Sequence, residues 1–369
     1  MPNFKRISFI TILFLIAIAT SGCSITFQSS GNGKSVTDGG VFKSVNGGGS
    51  WRQQTLVATV SGQPLNFNKL NVVALALDPQ DKNAVYAGTD SDGLFYSYDA
   101  GASWTVAKTL GKRYITDIAV SPQNKCLIYA ASENRIFKSS DCSRSWQETY
   151  FDNEPKVRIY SLTADPREEK IIYAGTSRGE VIASVDYGQS WTTLKRFSDA
   201  QAAAANSVVK ILINRGNPNI LWAATLGSGV YRSVDRGKSW VGYIEQLSQI
   251  NASDAVRITD MALALNDSNT VIIATKAGLI RTVNNGERWN AITLVPPADK
   301  TAINAIAIYP RDKERIYYVT NTSLGWTQDG GKTWTSKKLP TSRAGVILTA
   351  DPDNPEIIYL GAMLIETKK

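Results

Sequence analysis

Apolar and polar positions along the chain fall into short runs that recur in one order. Val72 to Leu77 is an apolar run closed by Asp78-Pro79. Ala84 to Thr89 follows, then Leu94 to Ser97, then a polar turn, and Trp104 opens a fourth run. The same order returns at Ile118–Pro122 with Leu127–Ala130, at Leu162–Pro166 with Ile171–Thr176, and at Ile306–Pro310 with Arg315–Tyr318. β-branched and aromatic runs divided by Asp-Pro, Gly and Asn predict strands and tight turns. Helical periodicity is absent outside the amino terminus, except that residues 201–205 have room for a single turn.

The turns repeat as well. SYDAGASW at 97–104, SVDYGQSW at 184–191, SVDRGKSW at 233–240 and TQDGGKTW at 327–334 are the clearest copies. SVNGGGSW at 44–51, SDCSRSW at 140–146 and TVNNGERW at 282–289 are weaker ones. Asp99, Asp141, Asp186, Asp235, Asn284 and Asp329 offer a side-chain oxygen to backbone N–H groups of the turn. Each turn ends on a tryptophan: Trp51, Trp104, Trp146, Trp191, Trp240, Trp289 and Trp334, spaced 53, 42, 45, 49, 49 and 45 residues apart. A period of about 40–50 residues predicts one four-stranded propeller blade per copy.

Six units are complete, starting near residues 70, 113, 157, 207, 257 and 302. The carboxyl end adds two strands, Val346–Pro352 and Ile357–Gly361; the amino end adds two more, Val41–Val45 and Trp51–Val57. The expected fold is therefore all-β, a single seven-bladed propeller over 40–369 closed by a blade shared between the termini. Closure removes open sheet edges.

These turns resemble the Asp-box, or bacterial neuraminidase repeat. Ala74-Leu75-Ala76-Leu77-Asp78-Pro79 followed by Val85-Tyr86-Ala87-Gly88-Thr89 is similar to propellers of three groups. They are the photosystem II stability and assembly factors, the sortilin-type receptor domains and the xyloglucan-cleaving glycosidases. The resemblance implies fold more than function, because the turn is structural and lies away from the usual ligand face.

The first 22 residues read as an export leader: Lys5 and Arg6, an uncharged run from Ile7 to Ala19, then Thr20-Ser21-Gly22 before Cys23. Cys23 resembles the lipidated cysteine of bacterial lipoproteins, although Thr20 stands where that family usually has Leu. An ordinary leader with an incidental cysteine is the alternative. Residues 23–39, rich in Ser, Gly, Asn and Thr, would form a tether reaching about 20 Å. The expected location is the outer side of a bacterial membrane. Loss of Lys5 and Arg6 lowers the net charge from +8 to +6. That excess names no partner, and export argues against nucleic acid.

Two cysteines remain, Cys126 and Cys142. A hairpin centred near Glu133-Asn134 places them opposite each other, which favours a disulfide over two free thiols. Histidine is absent, removing Ser-His-Asp and Cys-His mechanisms and the usual zinc sites. No metal or cofactor is expected. Aligning the first strand of each unit puts Asp117, Lys210 and Asp260 in one row beside the central channel. Arg158 and Arg257 lie in the row above, and Arg113 in a loop leading in. These six form a candidate anion-binding mouth; a solvated wall of compensating charges is the bland alternative. Against glycosidase chemistry, the xyloglucanase resemblance implies carboxylates facing each other across two propellers, and this chain has one. The resulting expectation is a monomeric, membrane-tethered, non-enzymatic scaffold that binds a protein partner. The alternative is a carbohydrate-binding or glycan-cleaving surface protein.

Overall fold

The computed structural model describes residues 37–365, apart from 60–62, 64, 198–205, 265, 266, 268 and 295–301. The leader, Cys23, most of the tether and the single helical turn expected at 201–205 lie outside the described residues. Seven four-stranded antiparallel sheets form the body. The first runs Val72–Leu77, Val85–Thr89, Leu94–Ser97 and Thr105–Val106 from the inside outward. The seventh is the shared one. Ala344–Ala350 and Ile358–Met363 from the carboxyl end pair with Gly40–Ser44 and Arg52–Gln54 from the amino end. Val41 stands opposite Gly361, and Phe42 opposite Leu360. The architecture is a seven-bladed β-propeller.

Each blade buries both faces against its neighbours, so its second strands are apolar throughout. Tyr86, Tyr129, Tyr173, Trp222, Tyr317 and Tyr359 occupy one position of that strand and are fully buried. The turn tryptophans pack edge-on against aromatic neighbours: Trp191 on Tyr150, Trp240 on Phe197 and Trp334 on Tyr318. Trp104 and Trp289 are buried outright.

The polar turns share one hydrogen-bond pattern. In the first blade, Gly101 N donates to Ser97 Oγ (2.8 Å) and Ser103 N to Asp99 Oδ1 (2.8 Å). Asp186, Asp235, Asn284 and Asp329 accept in the same way in their blades. Two consecutive residues of each turn take positive φ, such as Ala100 at 57° and Gly101 at 87°. In the second blade both are non-glycine, Cys142 at 58° and Ser143 at 67°.

Four features differ from the sequence reading. Asp38, read as tether, is tied to the body: Ser342 N donates to Asp38 Oδ2 (2.7 Å). Trp51–Val57 is not one strand. The chain leaves the seventh blade after Gln54, and a hairpin of Leu56–Val57 and Leu65–Asn66 lies against Trp104 of the first. A five-residue helix, Ile244–Ser248, was missed because it is too short to show periodicity. Cys126 and Cys142 are joined in a disulfide, but the hairpin register is shifted by one, Ser132 facing Arg135 and Ile128 facing Ser139. The two-residue turn at Glu133-Asn134 sets that register, and the next polar turn swings Cys142 back over Cys126, whose carbonyl accepts from Cys142 N (3.2 Å).

Candidate functional site

The innermost strands run from a face with long connections toward the face carrying the polar turns. Near its start, each strand but the second has a register shift, as between Ile258 and Asp260. The residue at this level reaches the next blade, after the shift in the third and fifth strands and without one in the second. Asp117 Oδ1 accepts from Ile118 N (2.9 Å) and Oδ2 from Leu162 N of the following blade (2.8 Å). Asp260 repeats the arrangement with Met261 N and Ile306 N, both at 2.9 Å. Ser161 Oγ accepts from Ile211 N (2.9 Å). This row stitches blades together.

Lys210 Nζ stands 3.8 Å from Asp260 Oδ1. Burial pushes the Asp117 carboxyl above its ordinary range despite the opposing charge of Lys210. For Lys210, burial works to lower the pKa, but Asp260 and Asp117 outweigh it and the net shift is upward. The strands wall Lys210 in, although about a quarter of its side chain, 27 %, still meets solvent in the channel. Asp117, Lys210 and Asp260 therefore do meet. They do so inside the channel as structural staples, not at a mouth, because their oxygens are already taken by backbone N–H groups.

The three arginines do not join them. Arg158 donates to its own loop, to the carbonyls of Pro155 (2.7 Å) and Val157 (3.0 Å). Arg113 lies over the Phe137 ring, 4.2 Å from its centre. Arg257 lines a pocket of about 260 Å³ with Leu226, Thr259, Ala302 and Ile303.

The long-loop mouth instead presents two tyrosines. Tyr114 precedes the second blade's inner strand and is 41 % exposed; Tyr160, at the third blade's register shift, is 39 % exposed. Burial of its remaining surface raises the Tyr114 pKa, and the fields of Asp90 and Tyr160 add to the rise. Asp90 Oδ2 accepts from Asn71 Nδ2 (2.6 Å). Glu133, exposed at positive φ (54°), supplies the carbonyl that Ile159 N bonds at 2.7 Å. Tyrosine rings and carboxylates thus share the mouth of the first three blades. Sequence reasoning passed over them because Tyr160 turns outward only through the bulge. A second cluster it missed is internal: Asp152 and Glu180, both buried, grip Arg178 at 2.6 and 3.0 Å, and Arg196 completes the Glu180 pair.

This fold and mouth define the class, a seven-bladed propeller. The sortilin-Vps10 family model (sortilin, neurotensin receptor 3) matches residues 92–196. Among curated relatives, a xyloglucanase of Paenibacillus sp is 22 % identical over 316 residues, 72 % of this chain and 31 % of the relative. A probable oligoxyloglucan-reducing end-specific xyloglucanase of Neosartorya fischeri is 24 % identical over 227 residues, 53 % of this chain and 27 % of the relative. The chain thus spans under a third of the length of either. Among solved structures, the GH74 xyloglucanase from Xanthomonas campestris aligns with a TM-score of 0.66 at 18 % identity, covering 79 % of this chain and 51 % of that one. YCF48 from Cyanidioschyzon merolae aligns with a TM-score of 0.60 at 14 % identity, covering 79 % and 95 %.

These matches overturn the expected non-enzymatic scaffold. The curated relatives are xyloglucanases, so the carbohydrate alternative is the better supported reading. On sequence alone, glycosidase chemistry had been set aside because the resemblance implies carboxylates across two propellers and this chain has one. The chain aligns with only about half of the solved xyloglucanase (51 %), so its single propeller does not by itself argue against that chemistry.

Proposed function

We propose that the protein is an exported, lipid-anchored, carbohydrate-active propeller that binds a β-linked glucan of the xyloglucan type and takes part in its hydrolysis. Cys23 carries the anchor in this reading, and the seven polar turns are Asp-box repeats. One observation carries the proposal: Tyr114 and Tyr160 stand together at the long-loop mouth beside Asp90 and Glu133, on a chain that aligns with xyloglucanases. A sugar ring has apolar C–H faces that rest on an aromatic ring, and an equatorial edge of hydroxyls that bonds carboxylates. Glycoside hydrolysis needs two carboxylates flanking the bond, one of them giving a proton to the leaving oxygen. Asp117 and Asp260 are spent on backbone N–H groups. Asp90 and Glu133 are the acids of the two blades nearest the tyrosines, and they take the candidate role.

The test is electrophoretic retardation in gels containing xyloglucan, together with release of reducing ends from the same polymer. Tyr114→Ala and Tyr160→Ala should abolish retardation. Asp90→Asn and Glu133→Gln should abolish release while retaining retardation. A wild-type protein that is neither retarded nor active overturns the proposal.

A further inference from the structure

The opposite mouth of the channel, on the polar-turn side, carries a different chemistry. There each inner strand ends on a turn with a shared signature, one residue accepting or donating backbone bonds and the next turning the chain. Asp78 N donates to the Ala84 carbonyl, Ser121 N to Leu127, Asp165 N to Ile171, Asn214 N to Ile220 and Asp351 N to Ile357. The residue that follows is Pro79, Pro122, Pro166 and Pro352 in four of these blades; in the fifth blade, where Ala264 N donates to the Thr270 carbonyl, it is Leu265. In the fourth blade it is Arg215. Proline fixes φ and needs no N–H partner, so it serves the turn well. The arginine is not required by the fold.

Arg215 lines two adjoining cavities, of about 290 and 190 Å³, that together touch all seven inner strands. Leu77, Leu212, Met261, Leu263 and Ile308 give the larger one an apolar wall. Arg215 stays open to solvent at the mouth while the strand ends crowd round it. Among the described residues no carboxylate pairs with it, and burial alone perturbs it. Asp78 shares the lining: its Oδ1 accepts from Gln80 N (2.7 Å), its buried Oδ2 has no partner, and burial raises its pKa. Asp165 lies 3.7 Å from Arg236 instead. The loop bearing Arg215 is held from the third blade, where Arg167 Nη2 donates to the Gly216 carbonyl (2.7 Å).

We propose that this mouth binds a small alkyl carboxylate, with the Arg215 guanidinium receiving the carboxylate and the apolar wall receiving the chain. A guanidinium matches a carboxylate with two parallel N–H···O bonds, and partial desolvation strengthens that match. The proposal is independent of the glycan reading, which concerns the other mouth.

The experiment is isothermal titration and thermal melting with acetate, butyrate, hexanoate and octanoate, with hexanamide and hexyl phosphate as controls. Affinity should rise about fourfold per methylene until the cavity is filled. Hexanamide should bind at least tenfold more weakly than hexanoate. Arg215→Pro gives the fourth blade the residue found in five of the others and should melt like the wild type while losing hexanoate binding at least tenfold. Arg215→Gln provides the same comparison without altering the backbone. Hexanoate binding that survives in both variants, hexanamide binding equal to hexanoate, no binding of any carboxylate, or binding of hexyl phosphate alone would each overturn the proposal.

Discussion

Replacing Ser143 by glycine should stabilise the protein, although glycine ordinarily weakens a fold. The six other polar turns place glycine here, as at Gly101, Gly188, Gly237 and Gly331. Ser143 holds φ 67° with a Cβ, in a region that costs an L-residue about 1–2 kcal/mol. Its hydroxyl is buried and has no partner, a second cost of about 1–3 kcal/mol. Its backbone N–H, bonded to Ser139 Oγ at 2.9 Å, survives the change. Against these stands the greater chain entropy of glycine in the unfolded state, about 0.5–1 kcal/mol. The balance is a gain of about 1–4 kcal/mol, or a melting point about 1–6 °C higher in a body of this size. Calorimetric melting of the oxidised protein reads it directly. Gly101→Ser is the converse control: a Cβ there would first meet Trp104 at 3.5 Å, ordinary contact, so its loss of stability reports conformation and hydroxyl burial without a clash. A Ser143→Gly protein that melts at or below the wild-type temperature would refute this reasoning.

Reduction of the Cys126–Cys142 disulfide, separated by 16 residues, should cost about 3 kcal/mol, seen as a lower melting point in dithiothreitol that Cys126→Ser/Cys142→Ser reproduces. Acid should unfold the protein through its turns. Hydrogen bonds from Ser145, Ser190 and Ser239 hold Asp141, Asp186 and Asp235 down at about 2. Because their folded pKa lies below the unfolded value near 3.8, the stabilisation is complete above about pH 4 and is lost as pH falls toward 2. Melting points measured from pH 6 to 2 should therefore fall steeply only below pH 4; a flat profile there would count against the turn geometry. Lys210→Met should leave Asp117 and Asp260 facing each other without their cation, destabilising by about 1–3 kcal/mol once channel water is allowed for. Adding Asp260→Asn should recover part of that loss in chemical denaturation.

The polar turns were legible in the sequence because each residue has a separate job. Ser97 and Asp99 accept backbone N–H groups, Gly101 takes positive φ, and Trp104 is buried. Four chemical demands within eight residues leave few alternatives. The Asp117 row was legible as a place but not as a set of contacts. The partner of Asp117 is the backbone N–H of Leu162, 45 residues away, and no side-chain type announces it. The tyrosine mouth was hidden for a related reason. Strict alternation along Ile159–Ala164 would point Tyr160 to the wrong side, and only the shift between Ile159 and Ser161 exposes it. The cysteine pair survived a register error of one because the turn, not the ladder, brings Cys142 to Cys126.

A propeller makes the same structural demand at the same position in every blade, so a residue that departs from its row is answering some other demand. Lys210 departs in a row otherwise filled by Ala74, Asp117, Ser161, Asp260, Ala305 and Ile347, and its answer is internal: two neighbouring carboxylates in the channel. Five residues further along the same blade, Arg215 departs from a row that holds proline in five blades and Leu265 in the remaining one. No carboxylate among the described residues answers it, and burial works against its charge. The strand Val208–Ile213 and its following turn thus carry both cationic exceptions, one neutralised within the molecule and one left facing the open mouth. Charge that the fold neither needs nor compensates is most simply explained by a ligand of opposite sign, and the seven-fold repetition provides the internal control that makes the exception visible.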